Sequence, residues 1–123
     1  MRTSLPSDCG NSPRTTLVSE VVTHWARREV EALASFLAAD VEWTLVGRTV
    51  ASGAVAAERA CPAVVPDALE VTSIITHGRL ASCDGHLVSG AGRTAFSHVL
   101  RFASTARTAP VKEIRTYLVD VTS

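Results

Sequence analysis

Asp84 and His86 lie two residues apart in SCDGHLVS, and His98 follows in AFSHVLRF. A carboxylate that orients and charges an imidazole is a common way to move protons near neutral pH, because the imidazole titrates there. Both stretches are otherwise apolar and alternate as buried strands do. Two explanations stay open: the alternation sends the polar groups to water, or the fold holds a polar pocket. Asp84 beside Gly85 also suits a solvent-facing bulge or bend. His98 shares its row with Phe96, Leu100 and Phe102, so it also suits a core imidazole bonded to the backbone.

Other chemistry is less well supported. The four histidines lack the paired spacing of metal ligands, and no metal or cofactor is expected. His24 and His77 read as exposed or half-buried. Cys9, Cys61 and Cys83 are odd in number and lack ligand spacing, so they read as free thiols. Twelve basic residues balance twelve acidic ones without a basic run, which argues against nucleic acid and anionic membranes as partners. The apolar stretches are too short to span a bilayer, and the N-terminus shows no signal-peptide core, so a cytoplasmic protein is expected. At 123 residues and 46% hydrophobic, the chain makes one domain with a sizeable core. So apolar and neutral a chain also tends to self-associate.

The elements that position these residues follow from periodicity. Residues 1–11 read as a loose, flexible tail and residues 12–123 as the domain. Ser12 then Pro13 is a helix start. Leu17, Val18, Val21, Val22 and Trp25 recur at helical spacing, predicting a helix over residues 17–28. The charged ARREVE interrupts that stripe, and a second helix is predicted over 30–38. VEWTLVG reads as a strand with a turn at Gly47 and a short return. AVAAERA reads as a helix stopped by Pro62. Four strands in an antiparallel meander follow from residue 69. The fold class is α+β.

That order, with LASFLAADVEW leading into the first strand and FSHVLRF and VKEIRTYLVD closing it, resembles the NTF2-like superfamily in its SnoaL-like branch of polyketide cyclases and ketosteroid isomerase-like domains. The resemblance covers residues 17–121. It implies a cystatin-like α+β cone, in which a curved, mostly antiparallel sheet wraps around the N-terminal helices and leaves a deep pocket. The family includes isomerases, limonene-epoxide hydrolases, cyclases and binding proteins without catalysis. Carried onto this chain, the isomerase base falls at or beside Leu45, its phenolic donor at about Val21 and its acidic donor at His98. The hydrolase Tyr and Asn fall on Trp43 and Leu45, its Arg and Asp near Asp84 and His86, and its last-strand Asp on Thr116. Leucine and valine move no protons, so neither activity is expected.

The resemblance also implies faces. It turns the row Ser82, Asp84, His86 and Val88 and the row Phe96, His98, Leu100 and Phe102 toward the pocket. Asp84 with His98 or His86 would then be an acid–base pair in a cofactor-independent isomerase or cyclase. Trp25, Trp43, Leu45, Phe96, Thr116 and Leu118 would wall a site for a small apolar molecule, although tryptophans such as Trp25 and Trp43 are more often simple core than ligand platforms. The alternative is a ligand-binding or dimeric scaffolding domain without catalysis. Arg101 and Arg115 fall on the outer rows with Glu113. Val111, Tyr117, Val119 and Val121, beside Val99, predict a homodimer through the outer face of the sheet.

Overall fold

Ser12 and Pro13 do start a helix. In the computed structural model of the chain, which describes residues 1–7 and 12–121, helix α1 runs Pro13–Ala26. The Ser12 hydroxyl accepts the Thr15 N–H at 3.1 Å, and Pro13 loses nothing because a first-turn N–H has no helical partner. Val18, Val21, Val22 and Trp25 are buried along one stripe. The chain leaves α1 through Arg28, which adopts a left-handed φ of 55°.

Helix α2 (Val30–Ala34) stops well short of residue 38. Leu37 opens strand β2 (Leu37–Leu45) instead. The Phe36 carbonyl accepts the Val111 N–H at 2.9 Å, and Leu37 pairs with Val111. Sheet pairing with a distant strand thus captures the segment before the helix can continue. Strand β3 (Thr49–Ser52) returns, a 3₁₀ turn covers Gly53–Val55, and helix α3 (Ala56–Ala60) ends before Pro62. The meander follows as β4 (Ala68–His77), β5 (Leu80–Ser89), β6 (Gly92–Phe102) and β7 (Val111–Asp120).

With a short first strand β1 (Arg2–Ser4) at its edge, one seven-stranded sheet results, in the order β1-β4-β5-β6-β7-β2-β3. Strand β2 joins β7 in parallel, with Trp43 opposite Ile114 and Leu45 opposite Thr116. Residues 1–11 are not all loose: Arg2–Ser4 forms β1, which pairs in parallel with β4 through Ala68–Glu70. Three exposed residues show no periodicity, so their pairing depends entirely on the β4 edge beside them. Cys9 lies outside the described residues.

The helices cover one face of the sheet. Trp25, Trp43, Leu33, Leu69, Leu100, Phe102 and Ile114 form the fully buried core between the layers. The Trp25 indole donates to the Ala60 carbonyl at 2.8 Å, fastening α1 to the end of α3. No helix among the described residues is long and apolar enough to cross a membrane.

Candidate functional site

Pairing register decides which side chains meet. On β5 the buried row is Ala81, Cys83, Gly85 and Leu87, while Ser82, Asp84, His86 and Val88 are half-buried on the other face. On β6 Phe96, His98, Leu100 and Phe102 form the buried row. Cys83 sits opposite His98, and Asp84 opposite Ser97. Residues directly opposite share a face and successive residues alternate, so Asp84 and His86 lie across the sheet from His98. The proposed acid–base pair does not assemble. Plain alternation prevails over the family-derived faces: the apolar row of β5 is drawn inward, and the carboxylate avoids desolvation.

The bulge or bend expected at Asp84–Gly85 falls instead on the facing strand β4. Register shifts between Val71 and Ser73 of β4, leaving Thr72 as the extra residue of a bulge opposite Gly85. A Cβ at Gly85 would lie 1.9 Å from the Glu70 carbonyl oxygen, so only glycine fits. The Asp84 carboxylate accepts a hydrogen bond from the Ser73 hydroxyl across this bulge. Asp84, His86, Ser97, Tyr117 and Val119 line a shallow outer depression of about 290 Å³. The other histidine beside a carboxylate, His24, bonds Glu29 at 2.9 Å on the surface.

His98 is a core residue. Its Nδ1 lies 2.7 Å from the Thr116 hydroxyl, which also accepts the Trp43 indole N–H at 2.8 Å. Trp25 and Phe96 flank the imidazole at ring-centroid distances of 4.3 and 5.1 Å. Burial without a counter-charge pushes its pKa down to about 3, so the ring is neutral at physiological pH. Nε2 is buried without a hydrogen-bond partner among the described residues. The space beside it, among Val21, Val22, Trp25, Trp43, Leu100 and Ile114, has an accessible volume of about 0 Å³ and admits no water. Trp43 and Thr116 therefore pack the interior and do not wall an open pocket, and the buried Phe96 borders only the outer depression.

Trp25 is buried, with 1% exposure, but it borders a cleft of about 470 Å³ between the α1–α2 corner, the β2–β3 turn, α3 and the sheet. Trp25, Leu45, Leu87 and Leu118 give this cleft apolar walls, and Arg28, Arg48 and Arg59 bring guanidinium groups to it. Of the residues expected to contact a ligand, Trp25, Leu45 and Leu118 come together here. The arginines were not expected. Their segments carry no motif, and ARRE reads as a solvated charge run.

Local structure explains their placement. The left-handed Arg28 backbone turns the chain at the corner, and its Nη1 donates to the Pro62 carbonyl at 2.6 Å. The Arg48 N–H bonds the Leu45 carbonyl at 2.9 Å, closing the turn that carries it. Cys61 also borders the cleft, and burial pushes its thiol pKa up against the pull of Arg28. No group of three or more His, Cys, Asp or Glu among the described residues is arranged to hold a metal ion. The cleft can therefore offer apolar contact and guanidinium hydrogen bonds.

No protein-family model and no curated protein matches the chain. Solved structures do match. An NTF2-like protein of unknown function from Burkholderia xenovorans LB400 superposes with a TM-score of 0.74 at 13% identity, covering 90% of this chain and 86% of that one. A Kribbella flavida DSM 17836 protein, provisionally named a ketosteroid isomerase, gives 0.69 at 20% identity over 88% and 78%. A Shewanella denitrificans OS-217 protein, provisionally named a SnoaL-like polyketide cyclase, gives 0.66 at 14% identity over 85% and 88%. The chain has the NTF2-like fold, in its α+β form with a mostly antiparallel sheet. Likeness at these identities defines architecture and leaves chemistry to the site.

Proposed function

We propose that this chain is a small-molecule-binding domain that holds an apolar ligand in the Trp25–Leu118 cleft without acid–base catalysis. The observation that carries this reading is the cleft itself: about 470 Å³ with Trp25, Leu45, Leu87 and Leu118 along it. Ligand sites usually occupy roughly 300–1,000 Å³ and combine apolar walls with a few polar groups. The separation of Asp84 from His98 across the sheet supports the non-catalytic alternative over the isomerase or cyclase. A homodimer through the outer sheet face belongs to the same proposal, supported by the exposure of Ile75, Tyr117 and Val119 there.

Binding is tested with Nile red, a neutral apolar dye whose fluorescence rises on leaving water. The wild-type chain should show one saturable site. Leu118→Arg, which places a charge against the apolar wall, should abolish it while leaving the circular dichroism of the fold intact. Equal binding by the variant would remove the cleft from consideration.

A further inference from the structure

The apolar walls of the cleft say little about which small molecules suit it, but its charged groups say more. Three guanidinium groups reach it from three separate elements: Arg28 from the α1–α2 corner, Arg48 from the β2–β3 turn and Arg59 from α3. Two carboxylates, Glu58 and Asp120, share the lining. Asp120 is already engaged, accepting the Thr94 hydroxyl at 3.1 Å. Arg28 is half engaged by the Pro62 carbonyl. The guanidinium groups of Arg48 and Arg59 have no ion-pair or hydrogen-bond partner among the described residues, a state they share with Arg27, Arg79 and Arg101; what sets them apart is their place on the cleft beside its apolar walls. Unengaged guanidinium forks beside apolar walls leave donors for a ligand to satisfy.

Resting on the cleft-binding reading, we infer that the ligand is an amphipathic monocarboxylate. Its hydrocarbon body lies against Trp25, Leu45, Leu87 and Leu118, and its carboxylate is held by Arg48 and Arg59. Arginine suits this task because its planar fork matches a carboxylate with two parallel hydrogen bonds. Charge sets the valence. Three cations against two anions leave an excess of one, which complements a single negative charge and not the two of a phosphate monoester. The same balance disfavours an amine, which would meet the guanidinium groups at the rim.

Decanoate, decan-1-ol, decylamine and decyl phosphate share one chain and differ in head group, and tryptophan emission reports their binding because Trp25 borders the cleft. At low salt, decanoate should bind about tenfold more tightly than decan-1-ol, the effect of one charge-assisted contact. Arg48→Gln and Arg59→Gln should each remove most of that advantage, weakening decanoate binding far more than decan-1-ol binding. Both residues are exposed and without a partner among the described residues, so the variants should fold as wild type. Equal binding of decanoate and decan-1-ol, tighter binding of decylamine or decyl phosphate, or a decanoate preference indifferent to both substitutions would overturn the inference. In the first of these cases the apolar cleft still stands as a site. Binding of none of the four would overturn the cleft-binding reading as well.

Discussion

His98 shows how much one residue's surroundings decide. Its inward direction was legible, because Phe96, Leu100 and Phe102 share its row. Its partner was not, since Thr116 meets it only through the pairing of β6 with β7. Family likeness turns Asp84 inward, whereas the apolar row of Ala81, Cys83 and Leu87 argues the reverse and prevails. The neutral imidazole has a consequence for stability. Its pKa is about 3 when folded and near 6.5 when unfolded, so below about pH 6.5 the unfolded chain takes up a proton that the folded chain refuses. The stability it permits is complete above that pH and declines as the pH falls toward 3, by up to about 1.4 kcal/mol per unit. Urea midpoints at pH 7.5 and 5 should differ in this direction, and His98→Leu should flatten the difference. An unchanged slope in that variant would refute the assignment. With Leu45 and Val21 where the resemblance would put proton-handling groups, purified protein is expected to catalyse neither ketosteroid isomerisation nor limonene-epoxide hydrolysis. Robust turnover of either substrate would contradict the non-catalytic reading.

At the scale of elements, the four-strand meander was readable because alternation and turn residues recur through it. The end of α2 was not, because the strand that captures residues 36 and 37 lies far along the chain. The inward turn of Val111, expected on the outer row, has a similar origin. Register shifts between Arg101 and Phe102 change its parity, and it is fully buried opposite Phe102. The bulge expected at Asp84–Gly85 of β5 falls on the facing strand, at Thr72 of β4, where no residue signals it. It makes a sharp demand on Gly85, whose added methyl would overlap the Glu70 carbonyl. Gly85→Ala should cost at least about 2 kcal/mol, as overpacking against backbone does. Gly90→Ala, at a left-handed turn with open space around it, should cost only about 1–2 kcal/mol. Equal losses in chemical denaturation would mean that the close approach at Gly85 is relieved by a small shift of β4.

Over the whole molecule, three compartments compete for function: the cleft, the packed interior around His98 and the outer face of the sheet. The outer face exposes Ile75, Tyr117 and Val119 to 62%, 41% and 60%, and covering them is the role proposed for a second copy of the chain. Light scattering at micromolar concentration should give a dimer mass, and Val119→Lys should shift it toward the monomer; a wild-type monomer would rule that role out. The ligand should choose the cleft. Backbone and methyl NMR spectra recorded during titration with octan-1-ol, small, neutral and indifferent to the arginine question, test this most directly. Shifts should concentrate at Arg28, Leu45, Arg48, Arg59, Leu87 and Leu118, and the His98, Thr116, Asp84 and His86 signals should stay in place. Perturbations centred on His98 and Thr116, or on Asp84 and His86, would contradict the account and return the site to the interior or to the outer face.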